Sequence, residues 1–212
     1  MHASQEGIVD AEVGLVVCND PEAGIFERVD RLNKQYGLDI QSEVVNQHLY
    51  PAGEQERGQT LEESAKICEL VHEGRFSLVA LMGYMRVIAA EGDLMRQYGW
   101  LPDYEDMYPN NRGIYLARMI NTHPGILPAT ADTYGIHTQE RVIELGLAET
   151  AQTLHVVAAG VDTGPTIAEN RVPVYSDDTP EKLFDRVQRI EKAHLPIDIN
   201  TFLKEQQARR AA

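Results

Sequence analysis

Short β-branched runs that break off at polar turns, with helical spacing between them, constrain this chain more than any other feature of its sequence. Val13-Gly14-Leu15-Val16-Val17-Cys18 ends at Asn19-Asp20-Pro21 and reads as a buried parallel strand followed by a turn. Residues 23–36 then place Ile25, Val29 and Leu32 among charges at helical spacing, with Gly37 as the stop. Residues 61–73 repeat the pattern: Leu61, Ala65, Cys68 and Val71 share a face, and Gly74 follows as a stop. Phe76-Ser77-Leu78-Val79-Ala80-Leu81-Met82 is the next buried strand. This alternation predicts an α/β fold: an open, mostly parallel twisted sheet with helices on both faces, joined by right-handed crossovers. In such sheets ligands sit outside the carboxyl ends of the strands.

The remaining elements follow the same reading. Residues 40–49 are ambiguous and allow a strand; 50–58 form a polar loop with Pro51 and Gly53. Residues 89–98 predict a helix. Residues 99–113 predict a loop carrying Trp100, Tyr104 and Tyr108, by default a surface insertion, with a lid or a subunit contact as the alternatives. Residues 138–145 predict a helix and 153–157 a strand. Residues 166–174 predict a strand near a sheet edge, because Pro173 cannot donate to a ladder. Asp177-Asp178-Thr179-Pro180-Glu181 is a helix start with a capping oxygen and proline in the first turn. That helix runs to about His194, and a separate one starts at Pro196. There is no internal repeat and no linker, so residues 1–212 are expected to form one domain.

A formal net charge of −14 sets the surface character. Phosphate backbones are bound mainly by Lys and Arg, so nucleic acid and anionic membrane are disfavoured as partners, whereas a small anion held by local donors is not. No apolar run is long enough to span a bilayer, and the first residues lack the layout of a signal peptide. The two cysteines, Cys18 and Cys68, sit in apolar-patterned segments and read as buried thiols of a cytoplasmic protein.

Chemistry concentrates at Met119-Ile120-Asn121-Thr122-His123-Pro124, where a buried strand runs into an Asn-x-His frame and is stopped by proline. Side chains alternate along a strand, so Asn121 and His123 point to one side. An amide and an imidazole placed there can polarise a carbonyl and move a proton. Downstream, Gly160-Val161-Asp162-Thr163-Gly164-Pro165 puts a carboxylate in a glycine-rich turn after an apolar run. The ordinary structural roles are a turn cap for Asn121, a buried imidazole for His123 and an Asx-turn for Asp162. His137 and His155 read as structural or supporting. The histidines show no close metal-ligand spacing, so no metal is expected.

Together these motifs resemble the glycinamide ribonucleotide formyltransferase family, within the folate-dependent formyltransferases. The resemblance rests on Leu81-Met82-Gly83-Tyr84-Met85-Arg86-Val87-Ile88, Asn121-Thr122-His123-Pro124 with Leu127-Pro128, Tyr134-Gly135-Ile136-His137-Thr138, Val161-Asp162-Thr163-Gly164-Pro165, and Arg186-Val187-Gln188 with Glu191 and His194, all in family order. It implies a Rossmann-like fold and transfer of a formyl group from 10-formyltetrahydrofolate to the amine of glycinamide ribonucleotide, in purine biosynthesis. It also implies catalytic roles for Asn121, His123 and Asp162, with Asp162 favouring the charged form of His123. Folate contacts are implied at Met85, Arg86, Val87, Ile88, Asn121, Ala158, Ala159, Gly160 and Val161, and a substrate-amine contact at Glu191. Departures from the family pattern are also visible. No first strand with its Gly- and Ser-rich phosphate loop is recognisable, so the chain is expected to be N-terminally short and poorly soluble or weakly active. Gly125 stands where serine is common, and residues 129–133 make the segment after Pro128 longer than usual. The alternatives are a formyltetrahydrofolate hydrolase, another formyltransferase on the same scaffold, or a non-catalytic folate-binding homologue.

Overall fold

The computed structural model describes residues 7–46, 61–84, 86–89, 93–100 and 112–210. The chain begins with strand β1 (Leu15–Cys18), helix α1 (Ile25–Tyr36) and strand β2 (Gln41–Val44), and β1 and β2 pair in parallel. Gly37 takes a left-handed conformation (φ 64°) and ends α1 with its N–H on the Asn33 carbonyl, the glycine stop expected there. Helix α2 (Leu61–Glu73), strand β3 (Val79–Leu81) and helix α3 (Asp93–Tyr98) follow, then a 3₁₀ turn at Arg112–Leu116. Strand β4 (Met119–His123), helix α4 (Ile136–Glu144), strands β5 (Glu149–Val156) and β6 (Thr166–Pro173) and helix α5 (Pro180–Arg210) complete the fold.

A four-stranded sheet has the order β3-β4-β5-β6, parallel between β3 and β4 and antiparallel across the last two pairs. The crossover rule applies to its first half, and β6 takes the edge that its proline requires. Among the described residues no strand joins β1 to β3. A shared core joins the two layers instead. Val17 and Val45 from the first layer pack with Ile67, Cys68 and Val71 of α2, Leu94, Met95 and Tyr98 of α3, and Met119 of β4.

The two faces of β4 separate core from chemistry. Ile120 packs with Leu154 and Val156 of β5 against Leu195, Ile199 and Phe202 of α5. Met119, Asn121 and His123 alternate to the other face, where Met119 is fully buried against α3. β5 is buried along seven of its eight residues, covered on both sides. Of its buried polar side chains, Gln152 donates to Thr122 Oγ1 (3.1 Å) and accepts from Asn170, which also donates to Asp198, whereas the Thr150 hydroxyl has no hydrogen-bond partner among the described residues.

Several sequence expectations shift. Leu61 is exposed, and the buried face of α2 is Glu63, Ser64, Ile67, Cys68 and Val71, one step round from the expected face. Glu63 turns inward because the Arg86 guanidinium meets it at 2.5 Å. After α2 the left-handed residue is Arg75 (φ 54°), not Gly74. Gly74 is required instead by the Phe76 ring, which lies where a Cβ would stand. The helix expected from residue 89 is described only from Asp93. Helix α5 is continuous through Pro196, so the two helices expected there are one. Its start is as expected: Pro180 is the first helical residue, and Thr179 Oγ1 accepts from the Lys182 N–H. Cys68 is buried and Cys18 half-buried, both free thiols. Trp100 is buried, hydrogen-bonds Val157 through its N–H (2.7 Å) and bridges to Ala158, so it belongs to the core rather than to a surface insertion. Tyr104, Tyr108 and residues 50–58 lie outside the described residues.

Candidate active site

The antiparallel register of β4 and β5 sets Asn121 directly opposite His155. Asn121 Nδ2 lies 3.2 Å from His155 Nε2. The other nitrogen of His155, Nδ1, is 2.9 Å from the Val156 carbonyl, which can only accept. Nδ1 therefore carries a proton, and Nε2 is the nitrogen that can accept from the Asn121 amide. An amide has two N–H groups, so the second is available to a ligand on this face of the sheet.

Beyond β5 the chain folds back tightly. Gly164 passes so close to the Val156 carbonyl that any Cβ would overlap it. Within that turn Asp162 holds a left-handed backbone (φ 53°), a conformation that is uncommon outside glycine and concentrates at functional sites. Its carboxylate reaches both histidines: Oδ2 is 3.4 Å from His123 Nδ1, and Oδ1 is 3.5 Å from His155 Nε2. The Asp132 N–H donates to Oδ2 at 3.3 Å. The far nitrogen of His123, Nε2, is 3.0 Å from Thr130 Oγ1.

Burial sets the protonation states of this cluster. His123 is 3% exposed, and burial pushes its imidazole below the ordinary value. Asp162 opposes that shift and His155 adds to it. The expectation that Asp162 favours the charged form is thus correct for the pair but loses to desolvation. Burial also acts to raise the Asp162 carboxyl. The facing histidines, His155 and His123, and the Asp132 N–H outweigh it and leave the group below its ordinary range.

These groups open onto a cavity of about 320 Å³ at the carboxyl ends of the parallel strands β3 and β4, walled also by His155 and the segment that follows β5. Asn121, His123 and Asp162 line it together with Arg86, Val87, Ile88, Ala158, Ala159, Gly160, Val161 and Glu191. Met85 lies outside the described residues. Arg86 is 8% exposed and its charge is engaged by Glu63. Glu191, on α5 beside Gln188 and Phe184, has its carboxyl pushed above the ordinary value by burial, with Lys192 opposing. His155 and Thr130 join the cluster although the sequence marks neither as a site residue. His137 stays on the surface, paired with Glu140 (2.8 Å). No group of three His, Cys, Asp or Glu among the described residues is placed to hold a metal ion.

An α/β sheet with a polar trio at its strand ends and a cavity of ligand size defines an enzyme acting on small molecules. Residues 113–199 match the family described as Formyl transferase. The chain is 29% identical over 195 residues to the phosphoribosylglycinamide formyltransferase of Bacillus subtilis, covering 92% of this chain and 82% of that one. It is 34% identical over 115 residues to the enzyme of that name from Mycobacterium tuberculosis, covering 54% of this chain and 43% of that one. The crystal structure of phosphoribosylglycinamide formyltransferase from Bacillus halodurans superposes with a TM-score of 0.71 at 27% identity, covering 95% of this chain and 86% of that one. The comparisons thus agree with the resemblance carried by the sequence motifs: residues 113–199 match a formyl transferase family model, and most of the chain is similar to enzymes named phosphoribosylglycinamide formyltransferase.

Proposed function

We propose that this protein transfers the formyl group of 10-formyltetrahydrofolate to the primary amine of glycinamide ribonucleotide, in the one-carbon steps of purine biosynthesis in the cytoplasm. The observation that carries the reading is the convergence of Asn121, His123 and Asp162 on one cavity beyond the strand ends. In the reaction the amine nitrogen attacks the formyl carbon and the carbonyl oxygen becomes an oxyanion. A new C–N bond forms, the bond to folate N10 breaks, the amine loses a proton and N10 gains one. The second N–H of Asn121 is placed to stabilise the oxyanion, because its first already rests on His155. His123 is kept neutral by burial, which suits it to accept the amine proton, and the adjacent Asp162 carboxylate stabilises the imidazolium that results.

The small residues Ala158, Ala159 and Gly160 line the cavity together with Val87 and Ile88, an apolar lining suited to a flat pterin. In this assignment Arg86 contributes through its backbone, since its guanidinium is engaged with Glu63. Glu191 stands on the α5 side of the cavity and takes the substrate amine.

The test is loss of the formyl group from a 10-formyl folate, followed with and without glycinamide ribonucleotide, on the wild-type protein and His123→Ala. Nucleotide-dependent turnover that disappears in the variant is the expected result. Formyl loss that ignores the nucleotide, or turnover that survives in His123→Ala, overturns the assignment.

A further inference from the structure

The segment between Pro128 and Gly135 holds the reactive pair in place, and the glycine after Pro124 makes room for it. Thr130 is fully buried. Its hydroxyl lies 3.0 Å from His123 Nε2 and donates to the Ile126 carbonyl at 2.9 Å. A hydroxyl has a single proton. With that proton on Ile126, the remaining interaction with His123 requires Nε2 to be the donor. The Thr130 backbone N–H also binds the Ile126 carbonyl (3.1 Å). Thr133 Oγ1 donates to the Thr130 carbonyl (2.5 Å) and lies 3.1 Å from Thr138 Oγ1, from which it can accept, and this ties the segment to α4. Two residues past Thr130, Asp132 turns through a left-handed conformation (φ 64°) and gives its N–H to Asp162. One short segment thus touches both members of the pair.

Gly125 completes the arrangement. A Cβ on residue 125 would stand 2.2 Å from Thr130 Oγ1 and 2.5 Å from Thr138 Cγ2. The Thr130 side chain therefore occupies the space that any side chain at position 125 would need. A serine there and a threonine at 130 exclude each other as the backbone stands.

We infer that Thr130 is a positioning residue for His123, fixing the proton on Nε2 and leaving Nδ1 to Asp162, and that Gly125 is the small residue that admits it. In the neutral ring Nε2–H rests on Thr130, and Nδ1 faces the Asp162 carboxylate, which can accept from it only once Nδ1 is protonated. When Nδ1 accepts a proton beside the carboxylate, Nε2–H still rests on Thr130, so the imidazolium has a partner at each nitrogen. Asp162 and His155 are the other titratable groups facing this ring.

The inference rests on the formyl-transfer reading for its kinetic test, but a ligand-free measurement judges it independently. In the full-length protein, the ¹⁵N signals of the His123 ring are followed against pH in wild type, Thr130→Val and Thr130→Ser. A wild-type neutral ring protonated on Nε2 is expected, with that signature and the apparent pKa both displaced in Thr130→Val and restored in Thr130→Ser. Identical His123 titrations in wild type and Thr130→Val overturn the inference, whatever the protein's substrate. With 10-formyl folate and glycinamide ribonucleotide, Thr130→Val is expected to lower kcat by up to about 100-fold with little change in KM, the penalty of a misplaced catalytic group, and to shift the pH–rate profile. If Thr130→Val does not fold, Gly125→Ser in a Thr130→Ala background decides: return of the rate towards wild type supports the exchange of one hydroxyl for the other. A double variant no better than Thr130→Ala counts against it. Wild-type protein that shows the ring signature but no nucleotide-dependent turnover would sink the assigned reaction and leave Thr130 in its role.

Discussion

At the scale of single residues, the site is legible where strand alternation decides it and hidden where a turn does. Asn121 and His123 fall on one face because β4 runs through both. His155 needed the register: nothing local in Thr153–Val156 announces that residue 155 stands opposite 121. Thr130 lies seven residues from its histidine and reaches it only through the turn that follows β4. Asn121→Ala removes one donor to the oxyanion and is expected to lower kcat by about 10²–10³-fold, or ~2.7–4 kcal/mol. Steady-state kinetics on formyl folate and nucleotide read it, and an unchanged kcat with a raised KM would assign Asn121 to binding alone. Acid dependence follows from His123. Its pKa is depressed by burial, so the acid limb of kcat/KM lies below the ordinary histidine value of about 6.5. Asp162 pulls that pKa up, so Asp162→Asn moves the limb to still lower pH while lowering the rate. A limb that moves up instead would mean His123 is not the titrating group.

At the scale of elements, helix spacing located α2 to the residue but misplaced its buried face by one step. Periodicity counts apolar side chains, and Glu63 counts as polar. Its burial becomes intelligible only with Arg86, 23 residues away, at 2.5 Å with side-chain exposures of 6% and 0%. The pair pins α2 to the loop after β3, directly behind the cavity wall at Val87 and Ile88. Taking the cation away from a buried carboxylate typically costs ~3–5 kcal/mol, whereas replacing both partners by packed apolar residues is often neutral. Arg86→Ala is therefore expected to lower the urea midpoint markedly, and Arg86→Met with Glu63→Leu to recover most of it. Equal losses in the single and double variants would mean the ion pair itself supplies the stability. Pro196 misled the reading of α5 for a related reason. A proline removes one helical hydrogen bond, but packing of Leu195, Ile199 and Phe202 onto the sheet holds the helix together across the break. Phe202 is 1% exposed, and Phe202→Ala is expected to lose ~3–5 kcal/mol in chemical denaturation.

At the scale of the whole molecule, two electrostatic effects of opposite sign compete as pH falls. The formal charge of −14 repels itself at neutral pH, and protonation relieves that repulsion. Against it stand groups whose folded pKa is depressed. Asp178 accepts both terminal nitrogens of Arg186, at 2.6 and 2.7 Å, at the entry to α5, and its carboxyl is drawn down to about 2. A depressed carboxyl contributes stability that is fully present above its unfolded value of about 3.9 and is lost as pH falls through the folded value. Asp162 acts in the same sense. His123, also depressed, contributes stability that is complete above about 6.5 and fades as the unfolded chain begins to bind the proton more tightly. Glu191, with a raised pKa, opposes them. Salt separates the two effects, because a Debye length of about 3 Å at 1 M screens the diffuse surface charge while short partly buried contacts persist. In 1 M salt the melting temperature is therefore expected to fall as pH drops from about 6.5 to about 2, and Asp178→Asn to flatten that fall specifically below about pH 4. A melting temperature at 1 M salt that rises on acidification, or an Asp178→Asn curve parallel to wild type below pH 4, would show that local pairing at the start of α5 and in the site does not govern the acid stability of this fold.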